Sequence, residues 1–181
     1  MKNKKIPRLK KISTIRHRLH KIWSTIVRER ANYTCELCGI KKASINKNDK
    51  PEKIDAHHFL SKEIKDCPLK FEILNGISVC TFCHKFGIPS FHRDPIRTIT
   101  WLQKERPDRY NYVLKNADIR VDLENRKVLE EIENRLKKGL SLDLQKLQEI
   151  DKQYPRKNKK EITKGTLFDS DPKSSSSSSE S

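Results

Sequence analysis

Two Cys-x-x-Cys pairs limit this chain more than anything else in it. Cys35-Glu36-Leu37-Cys38 and Cys80-Thr81-Phe82-Cys83 stand on either side of Asp55-Ala56-His57-His58. The spacing within each pair lets one tight turn present both sulfurs to one ion, and four thiolates close a tetrahedral zinc site with no open position. A fold that satisfies this must bring residue 35 against residue 83 and close residues 39–79 into a loop. That insertion is longer than in the simplest zinc ribbons, and it carries the His-His pair. A pair of redox motifs, the alternative use of such cysteines, would more naturally sit at the start of a βαβ helix. His57, His58 and His84 are left for other work beside an already rigid site, which points to a second, catalytic metal.

Composition sets the wider bounds. Of 181 residues, 34% are hydrophobic and 35% charged, so the core is expected to be small and helped by a metal clamp. The net charge of +16 calls for a polyanionic partner, nucleic acid first, with a solvated basic surface or an anionic membrane as alternatives. Five cysteines, four of them paired in knuckles, fit a reducing cytoplasm better than secreted disulfides. Cys67, between Asp66 and Pro68, reads as a spare thiol in a loop. The basic N-terminus is not followed by an apolar signal-peptide core, and no stretch approaches a membrane span.

Residues 1–13 read as a basic flexible arm. A helix is predicted over 14–31, with Ile15, Leu19, Ile22, Trp23 and Ile26 as its apolar stripe. After the first knuckle, the lysine-rich stretch 39–53 reads as a surface loop. Ile54 to Phe59 is a strand candidate, Asn75-Gly76 a turn signal, and Ile77 to Val79 the return strand. The second knuckle leads into a short helix bearing His84, which Gly87 and Pro89 limit to a turn or two. Asp94-Pro95 is an N-cap followed by proline, predicting a helix over 95–105 with Ile96, Ile99 and Leu102 inward. Pro107 starts another helical piece through Asn116. Helices near 122–138 and 141–153, separated by Gly139, carry the stripes Leu129, Ile132, Leu136 and Leu140, Leu144, Leu147. These either dock on the core or mediate a homodimer. From residue 155 the chain is basic, then serine-rich, and reads as disordered.

Adjacent strand residues face opposite ways, so His57 and His58 cannot serve one ion alike. The whole pattern resembles the HNH endonucleases of the ββα-metal (His-Me finger) class. It is carried over about residues 20–115 by Cys35-x-x-Cys38, Asp55-Ala-His57-His58 and Asn75 followed by Cys80-x-x-Cys83-His84. Ser90-Phe-His92-Arg93-Asp94-Pro95, Trp101 and Arg106-Pro-Asp-Arg109-Tyr110 are similar to HNH proteins of bacteriophages.

The resemblance implies an α+β fold: a ββα-metal core braced by the four-cysteine zinc site and flanked by helices. The nuclease domain would span 14–116, followed by a helical extension over 117–154 and the tail over 155–181. His58 would be the general base, His57 and His84 metal ligands, and Asn75 the residue that pins the base strand. His92 would complete the metal site, although its separation from His84 across Gly87 and Pro89 does not suit one continuous helix; a phosphate contact or a structural hydrogen bond is its alternative. Asp55 is a candidate to orient a histidine. Arg93, Arg97, Lys85 and Lys62 are the nearest basic residues for phosphates. The implied activity is hydrolysis of double-stranded DNA with magnesium or manganese, imidazole ligands also suiting nickel, cobalt or zinc. A non-catalytic zinc-ribbon DNA-binding module and an RNA-directed nuclease are the competing functions.

Overall fold

The computed structural model describes residues 11–41 and 53–155. The expected basic arm up to residue 10, most of the lysine-rich loop and the serine-rich tail lie outside the described residues. Helix α1 spans Ile12–Arg30. Ile15, Leu19, Trp23 and Val27 recur every four residues and are buried, while Ile22 and Ile26 pack at the margin of the same cluster. Removing Leu19 or Trp23 from water contributes roughly 2–3 kcal/mol each. Asn32 and Tyr33 follow with φ of 50° and 51°. Their backbone N–H groups bond Glu29 and Arg28 carbonyls, which ends the helix.

The sheet has two antiparallel strands, β1 (Ile54–His58) and β2 (Gly76–Cys80), in the register Ile54 to Cys80 and His58 to Gly76. Such a pair is marginal alone; here α1 covers it, and β2 is buried along its length. Gly76 shows how close that approach is. A Cβ there would stand 2.2 Å from a Val27 methyl and 2.9 Å from the Trp23 ring. The glycine is therefore required by packing rather than by a turn: its φ is −95°, and the connection between the strands occupies residues 59–75 with two short 3-10 turns, Pro68–Phe71 and Ile73–Asn75.

A π-helical turn, Phe82–Phe86, follows β2. Helix α2 (Pro95–Glu105) starts where Asp94 accepts from the Arg97 N–H, and α3 spans Pro107–Asn116. The expected inward face of α2 is only partly correct. Thr98 and Leu102 are buried, whereas Ile96 and Ile99 face solvent. The cap fixes the helix start against Ser90, and the Thr98 hydroxyl is satisfied by the Asp94 and Pro95 carbonyls, so a polar residue occupies the inner row.

Helices α4 (Arg126–Lys137) and α5 (Leu144–Gln153) are capped by Asn125 and Asp143 and separated by Gly139 at φ 66°. Leu129, Ile132 and Leu136 join Leu19 and Trp23 in one buried cluster, with Leu144 and Leu147. Of the two roles left open for these stripes, docking within the chain is the one observed; Leu140 lies outside, exposed. Cys67 is a free thiol in a loop, as expected, and it is buried in this cluster. A second, smaller cluster gathers Cys35, Ile54, Ile77, Val79, Cys80, Cys83 and Leu102 around the knuckles. Among the described residues, no helix is long and apolar enough to cross a membrane.

Candidate metal centres

The two knuckles meet as their spacing demands. In the first, Gly39 sits at φ 77°, its N–H bonds the Cys35 carbonyl at 2.8 Å, and the Cys35 N–H bonds Ile40 at 2.7 Å. In the second, the Cys83 N–H reaches the Cys80 sulfur at 3.4 Å. The four sulfurs of Cys35, Cys38, Cys80 and Cys83 all lie within 4.8 Å of one another, and none is in a disulfide. Bonds of about 2.3 Å to zinc set a tetrahedral edge of about 3.8 Å; Cys38 and Cys80 stand 3.8 Å apart. The thiols also hold each other's charge in conflict. A hydrogen bond from Cys83 first, and backbone N–H groups after it, bring Cys35 down to about 4. Burial raises Cys80 to about 11, and the bond to Cys35 raises Cys83 further. A divalent cation removes that conflict, so the set fits zinc.

A carboxylate ties the first knuckle to the rest. Glu36 accepts from the Ser78 N–H at 2.9 Å and pairs with Arg109 at 2.6 Å, with Arg30 and Arg106 at 3.5 and 3.7 Å. Arg30 and Arg109 also donate to carbonyls of Ile73, Leu74 and Gly76. Helices α1 and α3 are thereby latched to the knuckle and to the start of β2.

Three histidines form a second cluster that could hold a metal: His57 on β1, His84 on the π turn, and His92 beyond it. His57 Nδ1 is 3.1 Å from His84 Nε2, and His92 Nε2 is 3.2 Å from the same atom. No continuous helix joins His84 to His92. The Phe91 N–H bonds back to the Cys83 carbonyl at 3.2 Å, and this fold-back returns His92 to the turn. Asp55 accepts from His84 Nδ1 at 3.2 Å, leaving the Nε2 lone pair for the cluster. Burial, then the neighbouring imidazoles, push His57 down to about 3. Burial also lowers His84, against the pull of Asp55. Neutral rings with converging nitrogens suit a cation. For bonds of about 2.0–2.2 Å, the two edges correspond to angles of roughly 90–105° at the ion, so the donor set fits one with positions left open.

His58 faces the other way, as strand alternation requires. Its ring stacks on Trp23 at 3.7 Å and 8°, and its Nε2–H donates to the Lys70 carbonyl at 2.8 Å. Burial, opposed by the bond to Lys70, brings it down to about 4, so it is neutral at pH 7. His20 of α1 lies 5.5 Å from it, ring to ring. One cleft of about 480 Å³ is lined by His20, His57, His58, Lys62, His84 and His92.

Asn75 is fully buried beneath it. Its side chain donates to Leu60 and Leu69 carbonyls at 3.1 and 2.9 Å and accepts from the Leu60 N–H at 2.8 Å. The end of β1 is thus pinned to the start of β2.

Among the expected phosphate contacts, Lys62 lines the cleft and Lys85 is exposed on the π turn. Arg93 is exposed, its guanidinium on the Phe86 carbonyl at 3.0 Å. Arg97 is not among the cleft-lining residues; it pairs with Asp94 at 3.3 Å on α2. Sequence reasoning missed His20, the Trp23 platform and the Glu36 latch. The position of His20 three residues before Trp23, on the inner side of α1, is the signal that could have found it. Comparison of the chain with family models, with curated proteins and with solved structures returns no match in any of the three.

Proposed function

We propose that the protein is a metal-dependent endonuclease of the HNH kind that hydrolyses phosphodiester bonds of double-stranded DNA. The observation that carries this reading is the shared cleft: a neutral, stacked His58 and the three-histidine cluster line one cavity beside a separate four-cysteine site. A zinc-ribbon binding module would account for the cysteines and the charge, but gives no reason for that second arrangement.

His57, His84 and His92 would hold the divalent ion, with Asp55 fixing the His84 tautomer. When bound, the ion supplies Lewis-acid stabilisation of negative charge developing on the phosphate. The protein's own residues do the rest. With Nε2–H on the Lys70 carbonyl, His58 presents Nδ1 as its proton acceptor. Water attacks phosphorus, its proton passes to His58 Nδ1, and the leaving oxygen takes a proton from solvent as its bond to phosphorus breaks. Trp23 and Lys70 keep the base from rotating. Asn75 holds the strand end that carries it. Lys62 offers a cation to the phosphate within the cleft.

The test is incubation of supercoiled plasmid with zinc-loaded protein and magnesium or manganese, with and without competing structured RNA. Nicked or linear product that duplex DNA competes away better than RNA is expected. Intact plasmid across a wide range of divalent ions overturns the reading.

A further inference from the structure

The turn that carries His84 has an outer side that the cleft does not use. Phe82, Phe86 and Ile88 are 61%, 60% and 69% exposed. They sit in a tightly held segment. The Gly87 N–H bonds the Phe82 carbonyl at 2.7 Å, Cys83 belongs to the four-sulfur cluster, and Arg93 bonds the Phe86 carbonyl. The Phe82 ring lies across Gly87, where a Cβ would meet it at 2.5 Å. The Phe82 ring thus lies against the link between Phe86 and Ile88, which groups three exposed apolar side chains on one turn. His84, two positions from each phenylalanine, points to the opposite side, toward Asp55 and His57.

Exposed rings grouped in this way mark a partner, and the charge around them says which kind. Lys85 is exposed between them, Arg93 is held on the Phe86 carbonyl, and residues 82–93 contain no acidic side chain. Cations beside flat apolar rings fit a polyanion that also offers apolar faces, which is the chemistry of stacked bases between phosphates.

We propose that Phe82, Phe86 and Ile88 are a wedge that enters a base step of duplex DNA lying along the outer side of this turn and partly unstacks it, with Lys85 and Arg93 on the flanking phosphates. This rests on the DNA reading above. The wedge supplies contact that is insensitive to salt, whereas the two cations supply the salt-dependent part.

The experiment measures binding of the zinc-loaded full chain to short duplexes, each carrying one 2-aminopurine at a different step, over a range of salt. The probe brightens where its stack opens. Phe82→Ala/Phe86→Ala is expected to bind about tenfold or more weakly, with an unchanged salt slope and no brightening. Phe82→Tyr/Phe86→Tyr is expected to keep both. Lys85→Ala/Arg93→Ala is expected to lower the slope by about two while brightening persists at saturation. Wild-type binding and brightening by the double alanine variant overturns the wedge and leaves the nuclease reading standing, provided plasmid is still cut. Loss of self-association in that variant, seen by sedimentation with DNA binding intact, assigns these side chains to a second copy and overturns the wedge too. Failure of the wild type to bind any duplex overturns both readings.

Discussion

At the scale of single residues, two carboxylates, the partly buried Asp55 and the fully buried Glu72, have separable jobs. Asp55 touches the His84 ring and none of the sulfurs, so its removal should loosen one metal cluster and spare the other. Asp55→Ala is expected to weaken binding of manganese or cobalt at the histidines by about 10- to 100-fold, read by calorimetry, with zinc content unchanged. Glu72 is fully buried and accepts from the Leu142 and Leu74 N–H groups at 2.7 and 3.0 Å and from the Tyr112 hydroxyl at 3.4 Å. Burial outweighs those bonds and raises its affinity for a proton above the ordinary carboxylate value of 4.5. The folded state then keeps a proton that the unfolded chain has released. Stability from this group is full below 4.5 and is lost as pH rises through the raised value. Glu72→Gln, neutral like the protonated wild-type side chain, should remove that part of the slope, so urea-unfolding free energies of wild type and variant lie closest at low pH and separate as pH rises, the wild type falling.

None of this was visible residue by residue. Glu72 looks like any surface glutamate until the loop before α5 donates to it from 70 positions away. Cys67 likewise gives no local sign of burial, because its neighbours Asp66 and Pro68 are residues of turns. The gathering of His57 and His84 is what the resemblance implies, whereas His92 joins them through a fold-back made by one backbone bond, which is not a periodic feature of the sequence.

At the scale of elements, α1 lies against β2 with no room for a side chain at Gly76. Gly76→Ala places a methyl inside the van der Waals radius of Val27 and Trp23, both on a buried helix face. Overpacking of this kind costs about 1–3 kcal/mol or more; a loss of at least about 2 kcal/mol in denaturant unfolding is expected, with weaker plasmid cleavage because β2 positions Asn75. The latch between elements is testable in the same way. Arg109 and Glu36 are both nearly buried, so Glu36→Ala leaves a guanidinium without its carboxylate and is expected to cost roughly 3 kcal/mol.

The elements themselves were largely legible. The stripe of α1, the proline starts of α2 and α3, and Gly139 between α4 and α5 are local signals with local causes. The rotation of α2 was not, because Ile96, Ile99 and Leu102 satisfy helical periodicity as well as Thr98 and Leu102 do. Which row turns inward is decided by the cap and by Ser90 beneath it. Asn75-Gly76 has the composition of a turn, but Gly76 opens β2 at φ −95° and its missing side chain answers the close approach of α1.

At the scale of the whole molecule, two clusters of core meet across a small sheet, and the four-cysteine set that could hold zinc belongs to the smaller one. Removal of zinc should therefore act unevenly. A strong chelator is expected to release the knuckles and abolish cleavage, while much of the far-ultraviolet helix signal from α1, α4 and α5 persists; full loss of helix on chelation would show that the larger cluster does not stand without the clamp. The charge of +16 adds a long-range pull on any polyanion but names no sequence, and its strength should fall steeply with salt.

The most direct measurement is single-turnover cleavage of supercoiled plasmid by wild type and His58→Ala, with zinc content and circular dichroism matched. The account predicts product with wild type in magnesium or manganese, and at least about a 100-fold slower rate for the folded, zinc-loaded variant. Equal rates for the two proteins would contradict it, since the stacked imidazole that shares its cleft with the three-histidine cluster would then have no part in the chemistry.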